Sequence, residues 1–371
     1  MRILHLTDHY LPVLGGIETH VAALAERQVR RGDEVTVLTS TPPDADGRHL
    51  DDTGPVTVRR VRSAAQARAV DLSRFDVVHA HVSVVAPFSA PQTARIARRG
   101  IPTVVTVHSL WSGLGPVPAA AAALAGLRGA PVHWTAVSRV AADQLEARLP
   151  RRTQVGLLPN AVEAAPRPRT PAPRPDGAVH LVSTMRVARR KRPVPLVSMF
   201  GRLARSVDVP VTLTVVGDGP QRPSVERAVA RAGLGDRVRV TGRVDSADVL
   251  ARLAEADLYV APAVLESFGL AALEARCVGL PVVGHAASGM TEFVHHGVEG
   301  MLCGTDADMV RGMRELVLDH DLRRRISEHN RTVASRMTWE HALERHDATY
   351  ALACRAGSHL ARWSRQPVTD R

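Results

Sequence analysis

Short runs of β-branched residues alternate with longer segments rich in Ala, Leu and Arg, and this alternation stops once and then resumes. RILHL (2–6), EVTVL (34–38), VTVRRV (56–61), DVVHA (76–80) and TVVTV (103–107) are of strand length. Segments between them, such as 17–31 and 90–99, carry apolar residues at helical spacing. A strand apolar on both faces must be covered on both, which a helix crossing over between parallel strands provides. EAAPRPRTPAPRPDG (163–177) then brings five prolines and no apolar period, so it reads as an extended connection. The alternation restarts with AVHLVST (178–184), VTLTVVG (211–217), RVRVTG (237–242), DLYVAP (257–262) and LPVVG (280–284). After about residue 306 the chain reads as helix nearly to its end. The pattern predicts two α/β domains, 1–165 and 178–338, joined by a linker at 166–177 and followed by a helix and tail at 339–371. Open α/β domains bind ligands beyond the carboxyl ends of their strands.

Composition narrows what such domains can do. Aromatics make up 3% of the 371 residues, too few for a platform that stacks single-stranded bases, so no nucleic-acid partner is expected. Cys277, Cys303 and Cys354 form no Cys-x-x-Cys pair, which supports neither a disulfide framework nor a zinc site. The N-terminal strand-like run breaks at Asp8, short of a signal peptide's apolar core. The longest uncharged run, 109–127, holds three glycines and two prolines and reads against a membrane span. The expectation is a soluble, cytoplasmic chain. Its formal charge of +11 fits a solvated surface, a phosphorylated small molecule, anionic lipid or nucleic acid, and charge alone does not choose.

Of the 48 Lys and Arg residues, one is lysine: Lys191, in MRVARRKRP (185–193). Arg186 and Lys191 offer a fork and a point charge suited to a diphosphate, although the same run also fits a solvated basic face. Gly15 and Gly16 stand between the first strand and first helix, where backbone can approach an anion or simply turn. In LESFGLAALEA (265–275), Glu266 and Glu274 flank Ser267, Phe268, Gly269 and Leu270. Two carboxylates beside free helix N–H groups suit sugar hydroxyls and phosphate oxygens; a capping box on Ser267 or surface glutamates are the plainer readings. PDAD (43–46) reads as a solvated turn and Asn160 as structural. His79 and His81, two apart on a strand, are taken to face opposite ways, so no shared metal is expected.

In order, GGIETH, DVVHAH, TVVTVHS, LLPNAVE, MRVARRK, VVGDGP, ESFGLAALEA, GLPVVG…SGMTEFV and GVEGML resemble the family-4 retaining glycosyltransferases. The resemblance runs from about residue 1 to 340 and is most specific over 211–302. It implies the GT-B fold: two Rossmann-like parallel-sheet domains facing across a cleft, with the C-terminal helix returning to the first. It also implies transfer of a hexosyl group (mannose, glucose or GlcNAc type) from a UDP- or GDP-sugar, with no cofactor and no required metal. Arg186 and Lys191 match the donor-diphosphate clamp, Glu274 the ribose contact, and Glu266 with Ser267, Phe268, Gly269 and Leu270 the grip on the donor sugar. Gly15 and Gly16 match the loop approaching the phosphates, and His108 a histidine near the donor sugar. Two positions depart: Met185 and Arg192 stand where the family usually has glycine. The hydroxyl acceptor implied is a phosphatidylinositol-type glycolipid or other cell-envelope glycan, or alternatively a small molecule of thiol or natural-product biosynthesis. Arg95, Arg98 and Arg99 leave open a peripheral contact with anionic membrane at the inner face of the plasma membrane. A nucleotide-sugar epimerase and a non-catalytic polyanion-binding protein are the competing classes.

Overall fold

The computed structural model describes residues 1–13, 15–43, 54–83, 86–110, 126–127, 130–151, 153–163 and 177–363. Most of the uncharged run 109–127, the PDAD turn from residue 44 on, and all of the linker except residue 177 lie outside them. The chain divides into two units, Met1–Ala161 with Trp339–Arg371, and Val162–Thr338.

The first unit holds β1 (Arg2–Thr7), β2 (Glu34–Thr39), β3 (Thr57–Arg60), β4 (Val77–Val82), β5 (Thr103–Val107), β6 (His133–Ala136) and β7 (Gly156–Leu157). They pair in the order β3-β2-β1-β4-β5-β6-β7, all parallel. The second holds β8 (Val179–Thr184), β9 (Val211–Val216), β10 (Val238–Val240), β11 (Leu258–Ala261), β12 (Val282–His285) and β13 (Gly300–Cys303). Their order is β10-β9-β8-β11-β12-β13, again all parallel. β6, β7 and β13 are additional to the runs named from the sequence.

Alternation places Leu4, Leu6, Val78, Ala80, Val105 and Val107 on one face of the first sheet. The other face carries Ile3, Val35, Val37, Val77 and Val104, packed with Tyr350 from the last helix, Trp339–Trp363. In the second unit, Leu181, Leu213, Val215, Val260 and Val283 join the core formed with Leu196, Phe200, Leu203, Met309 and Leu316. Full burial of each such aliphatic side chain contributes about 1.5–3 kcal/mol. The last helix is tied to the first unit by polar contacts too: Arg31 grips Asp347 through both nitrogens (2.7 and 2.5 Å), and Trp339 stacks on His20 at 5.1 Å. A bridge between Val162 and Thr338 pairs the two places where the chain passes between units.

Strand order reverses once in each sheet, between β1 and β4 and between β8 and β11. Connections leave such a point in opposite directions, which opens a crevice beyond the strand ends. No helix among the described residues is long and apolar enough to cross a membrane.

Candidate active site

At the reversal in the second unit, β8 delivers Met185 and Arg186. Met185 is buried in the core and Arg186 is exposed. The VVGDGP loop lies against this segment backbone to backbone: Val187 N–H donates to the Asp218 carbonyl at 2.8 Å. A Cβ on Gly217 would stand 2.0 Å from the Met185 carbonyl oxygen, and one on Gly219 2.6 Å from that of Val187. Both glycines also have positive φ (134° and 156°), so side chains are excluded twice over.

The chain next makes a short 3-10 turn, Arg189–Lys191, and enters the helix Pro193–Arg205 through Arg192. Arg192 keeps the left-handed conformation that glycine favours (φ 57°, ψ 45°), so the departure from the family pattern alters the side chain and not the turn. Its guanidinium bonds both oxygens of Asp306 (2.8 and 2.7 Å) and the Pro262 carbonyl (3.0 Å). That pairing holds the Asp306 carboxyl below its usual range.

Lys191 Nζ donates to Glu266 Oε2, so the structure brings together the lysine and the carboxylate singled out from the sequence. The Glu266 loop is clasped from behind: Gly289 N–H donates to the Glu266 carbonyl at 2.8 Å, and a Cβ on Gly289 would meet the Ser267 oxygen at 2.0 Å. Phe268 is buried against Phe293, with ring centroids 5.4 Å apart. Gly269, at φ 96°, occupies the N-cap position of the helix Leu270–Cys277, so Ser267 stands two residues ahead of the cap. Glu274 lies just over a turn into that helix. Burial pushes its carboxyl up to about 7. Arg186 makes no ion pair with Glu266 or Glu274; it is placed at the end of β8 with its side chain in solvent.

In the first unit, Gly15 caps and Gly16 opens the helix Gly16–Arg30. Gly15 is extended (φ −170°), a conformation open to any residue, and a Cβ there would meet only the movable end of Glu18, at 2.4 Å. His108 follows β5; its N–H donates to the Val82 carbonyl at 2.9 Å and its ring is buried. Asn160 is also buried, its Oδ1 without a hydrogen-bond partner. Arg95 is half-buried and bonded to Gln92, leaving Arg98 and Arg99 as the exposed members of that basic trio.

One sequence reading is corrected here. His79 and His81 do not diverge: alternate residues of a strand share a face, and their ring centroids are 4.1 Å apart. His5 on β1, in register with His79, joins them, bringing three ring nitrogens within 4.8 Å of one another. Those nitrogens hydrogen-bond within the protein, His5 Nδ1 to His81 Nε2 at 2.9 Å and His79 Nε2 to Thr106 at 2.7 Å. His81 Nδ1 meets His108 Nε2 at 3.0 Å. Burial pushes His5 down to about 4 and His108 to about 3, with His79 and His81 well below the usual imidazole range. The period-two spacing in HAH (79–81) was the signal for this cluster.

The family profile of Glycosyltransferase Family 4 matches residues 14–165, and that of Glycosyl transferases group 1 matches residues 169–333. The chain belongs to the family-4 glycosyltransferases. Among its relatives is the 2-deoxystreptamine N-acetyl-D-glucosaminyltransferase of Streptomyces fradiae, 27% identical over 90% of this chain and 91% of that one. Another is the phosphatidyl-myo-inositol mannosyltransferase of Mycobacterium leprae, also 27% identical, covering 97% and 99%. The fold of this family-4 glycosyltransferase is GT-B, as in Anabaena Alr3699/HepE, crystallised with UDP and glucose. That chain superposes with a TM-score of 0.78 at 19% identity, over 95% of this chain and 100% of the other.

Proposed function

We propose that this glycosyltransferase moves a hexosyl group from a UDP- or GDP-sugar to an acceptor hydroxyl with retention of anomeric configuration. The observation that carries the reading is the Lys191–Glu266 pair at the carboxyl ends of β8 and β11, with Glu274 nearby on the helix that follows. Donor binding would exchange partners within this pair. The diphosphate takes Lys191, the sugar hydroxyls take Glu266, and the ribose hydroxyls take Glu274. As the bond from the anomeric carbon to the diphosphate breaks, the electron pair leaves with the phosphate oxygen. Lys191, Arg186 and the N-terminus of the helix Leu270–Cys277 stabilise the charge that develops there. The acceptor oxygen bonds the same face of the anomeric carbon, and its proton passes to the departing phosphate oxygen. These cations fill the role a divalent metal would otherwise have, so none is required.

Both relatives described carry a cyclitol in the acceptor that their names state. A cyclitol hydroxyl, free or as a phosphatidylinositol headgroup, is therefore the first acceptor to test. The experiment is a thermal-shift panel of nucleoside diphosphates and nucleotide sugars, then turnover with free and lipid-linked cyclitols in the presence of EDTA. Stabilisation by UDP or GDP and an anomerically retained product support the reading. An inverted product, or loss of turnover in EDTA with rescue by Mg²⁺ or Mn²⁺, would count against it. Conversion of the donor sugar without any acceptor would instead indicate an epimerase.

A further inference from the structure

The turn Arg189–Lys191 and the segment leading to Glu266 lie side by side in the second unit, because the strands they follow, β8 and β11, are paired neighbours. Three consecutive cations cross from one to the other. Arg190 Nη2 donates to the Leu265 carbonyl (3.4 Å), Lys191 Nζ to Glu266 Oε2, and Arg192 Nη1 to the Pro262 carbonyl (3.0 Å). Arg190 is exposed and its bond is long. Arg192 is the firmer tie. The same guanidinium takes both oxygens of Asp306 (2.8 and 2.7 Å), and its Nη1 stands 3.3 Å from His285 Nε2. Pro262 follows β11, His285 ends β12, and Asp306 opens the helix that follows β13. One side chain thus runs across the carboxyl ends of four adjacent strands, β8-β11-β12-β13. A planar fork with five N–H groups can span them; a compact ammonium, or the glycine usual at this position in the family, cannot.

We propose that Arg192 is a positioning residue that keeps the Lys191 turn and the Glu266 loop in register while the donor occupies the site. This rests on the reading that the donor parts Lys191 from Glu266, the diphosphate taking one and the sugar the other. In the free protein that ion pair is itself a tie between turn and loop, so Arg192 is redundant with it. Once the pair is given up, the bond from Arg192 to the Pro262 carbonyl remains, anchored at its other end on Asp306. A catalytic group displaced by about 1 Å loses on the order of 10²-fold in rate, so the tie matters most in the loaded state. Arg192 acts through Lys191 and Glu266, without touching substrate.

The test compares two variants of the full chain below the melting temperature of the less stable one. Arg192→Gly removes the fork from a backbone that glycine accepts, and Arg192→Lys retains the charge without the fork. The first measurement is amide hydrogen exchange with and without UDP or GDP, whichever stabilises the wild type. In the wild type the nucleotide should leave the amides of 263–269 at least as protected as before. In Arg192→Gly it should raise their exchange about tenfold, although the free variant matches wild type there. The second measurement is steady-state hydrolysis of the corresponding nucleotide sugar, with water as acceptor. In both variants kcat should fall about tenfold, with the donor KM nearly unchanged. In a Lys191→Ala background the same substitutions should cost little further, because register has no value once one partner is gone. Equal exchange of wild type and Arg192→Gly in the presence of nucleotide overturns the proposal, as does wild-type kcat in Arg192→Gly. A rise in exchange already present without nucleotide marks a merely structural tie and overturns it as well. So does full turnover in Arg192→Lys beside a loss in Arg192→Gly, since charge and not the fork would then be the cause. Lys191→Ala alone tests the underlying reading with Arg192 intact: wild-type donor kinetics there would sink the diphosphate clamp itself.

Discussion

Lys191 stands out in the sequence because a background of arginine isolates it, and in the structure it pairs with Glu266. A guanidinium keeps the charge but spreads it over a planar fork, whereas the ammonium reaches Glu266 as a compact point. Lys191→Arg should therefore lose on the order of 10²-fold in turnover, about 2.7 kcal/mol of transition-state stabilisation. Thermal stability without nucleotide should hardly change, since ion pairs with solvent access contribute little. Steady-state kinetics with a cognate donor decide; near-wild-type turnover would mean the lysine is incidental. Glu274 supplies a second expectation. Burial raises its folded-state pKa to about 7, and in the proposed ribose contact only the ionised carboxylate would accept from both hydroxyls at once. Donor affinity should rise as pH increases through about 7. Calorimetric titration with a nucleotide sugar at pH 6 and pH 8 checks this, and Glu274→Gln should flatten the dependence.

At the scale of elements, the turn from Lys191 into the helix Pro193–Arg205 joins a left-handed backbone to a clip that reaches 114 residues along the chain. The left-handed conformation costs a residue other than glycine about 1 kcal/mol, and the bidentate pairing with Asp306 offsets it. The two terms separate by substitution. Arg192→Gly loses the clip and also sheds the backbone cost. Arg192→Lys keeps the cost and cannot reproduce the fork. Melting temperatures should therefore rank wild type above Arg192→Gly, and that above Arg192→Lys. A lysine variant as stable as wild type would show that the clip contributes nothing. Only half of this arrangement was legible beforehand. The unusual residue at 192 is a local feature of the sequence, whereas Asp306 as its partner depends on β11, β12 and the helix Asp306–Leu318 having already come together.

For the molecule as a whole, the two sheets could be read because apolar runs of fixed length declare parallel strands whatever surrounds them. The polar band across β1, β4 and β5 could not. Its members lie on separate strands, and each looks alone like an interruption in an apolar run. The site loop at 265–275 was legible as a motif, but its clasp by Gly289 was not, since that is a contact of backbone with backbone. The hidden band carries a measurable consequence. His5, His20, His79, His81, His108 and His346 are all buried in the first unit, and burial lowers the pKa of each. Below about pH 6.5 the unfolded chain binds protons that the native state refuses, so their stabilising contribution is full above that pH and is lost as pH falls. His5 and His346 do not charge in the folded protein until about 4, nor His108 until about 3. Each histidine adds up to about 1.4 kcal/mol per pH unit within that window. The melting temperature should drop steeply between pH 6.5 and 5, and a flat profile there would contradict the burial of these rings.

The first unit is completed by a helix that follows the whole second unit in the chain. During synthesis, residues 162–338 leave the ribosome as one uninterrupted stretch with a core of their own, while the first unit still lacks Tyr350 and Trp339. Until that helix arrives, Ile3, Val21 and Val35 have an apolar face uncovered, and Gln28 and His79 have no hydroxyl between them. The nascent first unit should thus stay incompletely covered for as long as the second takes to be made. A chain stopped after residue 338 should be caught in that state. Limited proteolysis would degrade its first unit and spare a fragment covering 177–338, whereas equal resistance of both halves would show that the first unit closes without its last helix.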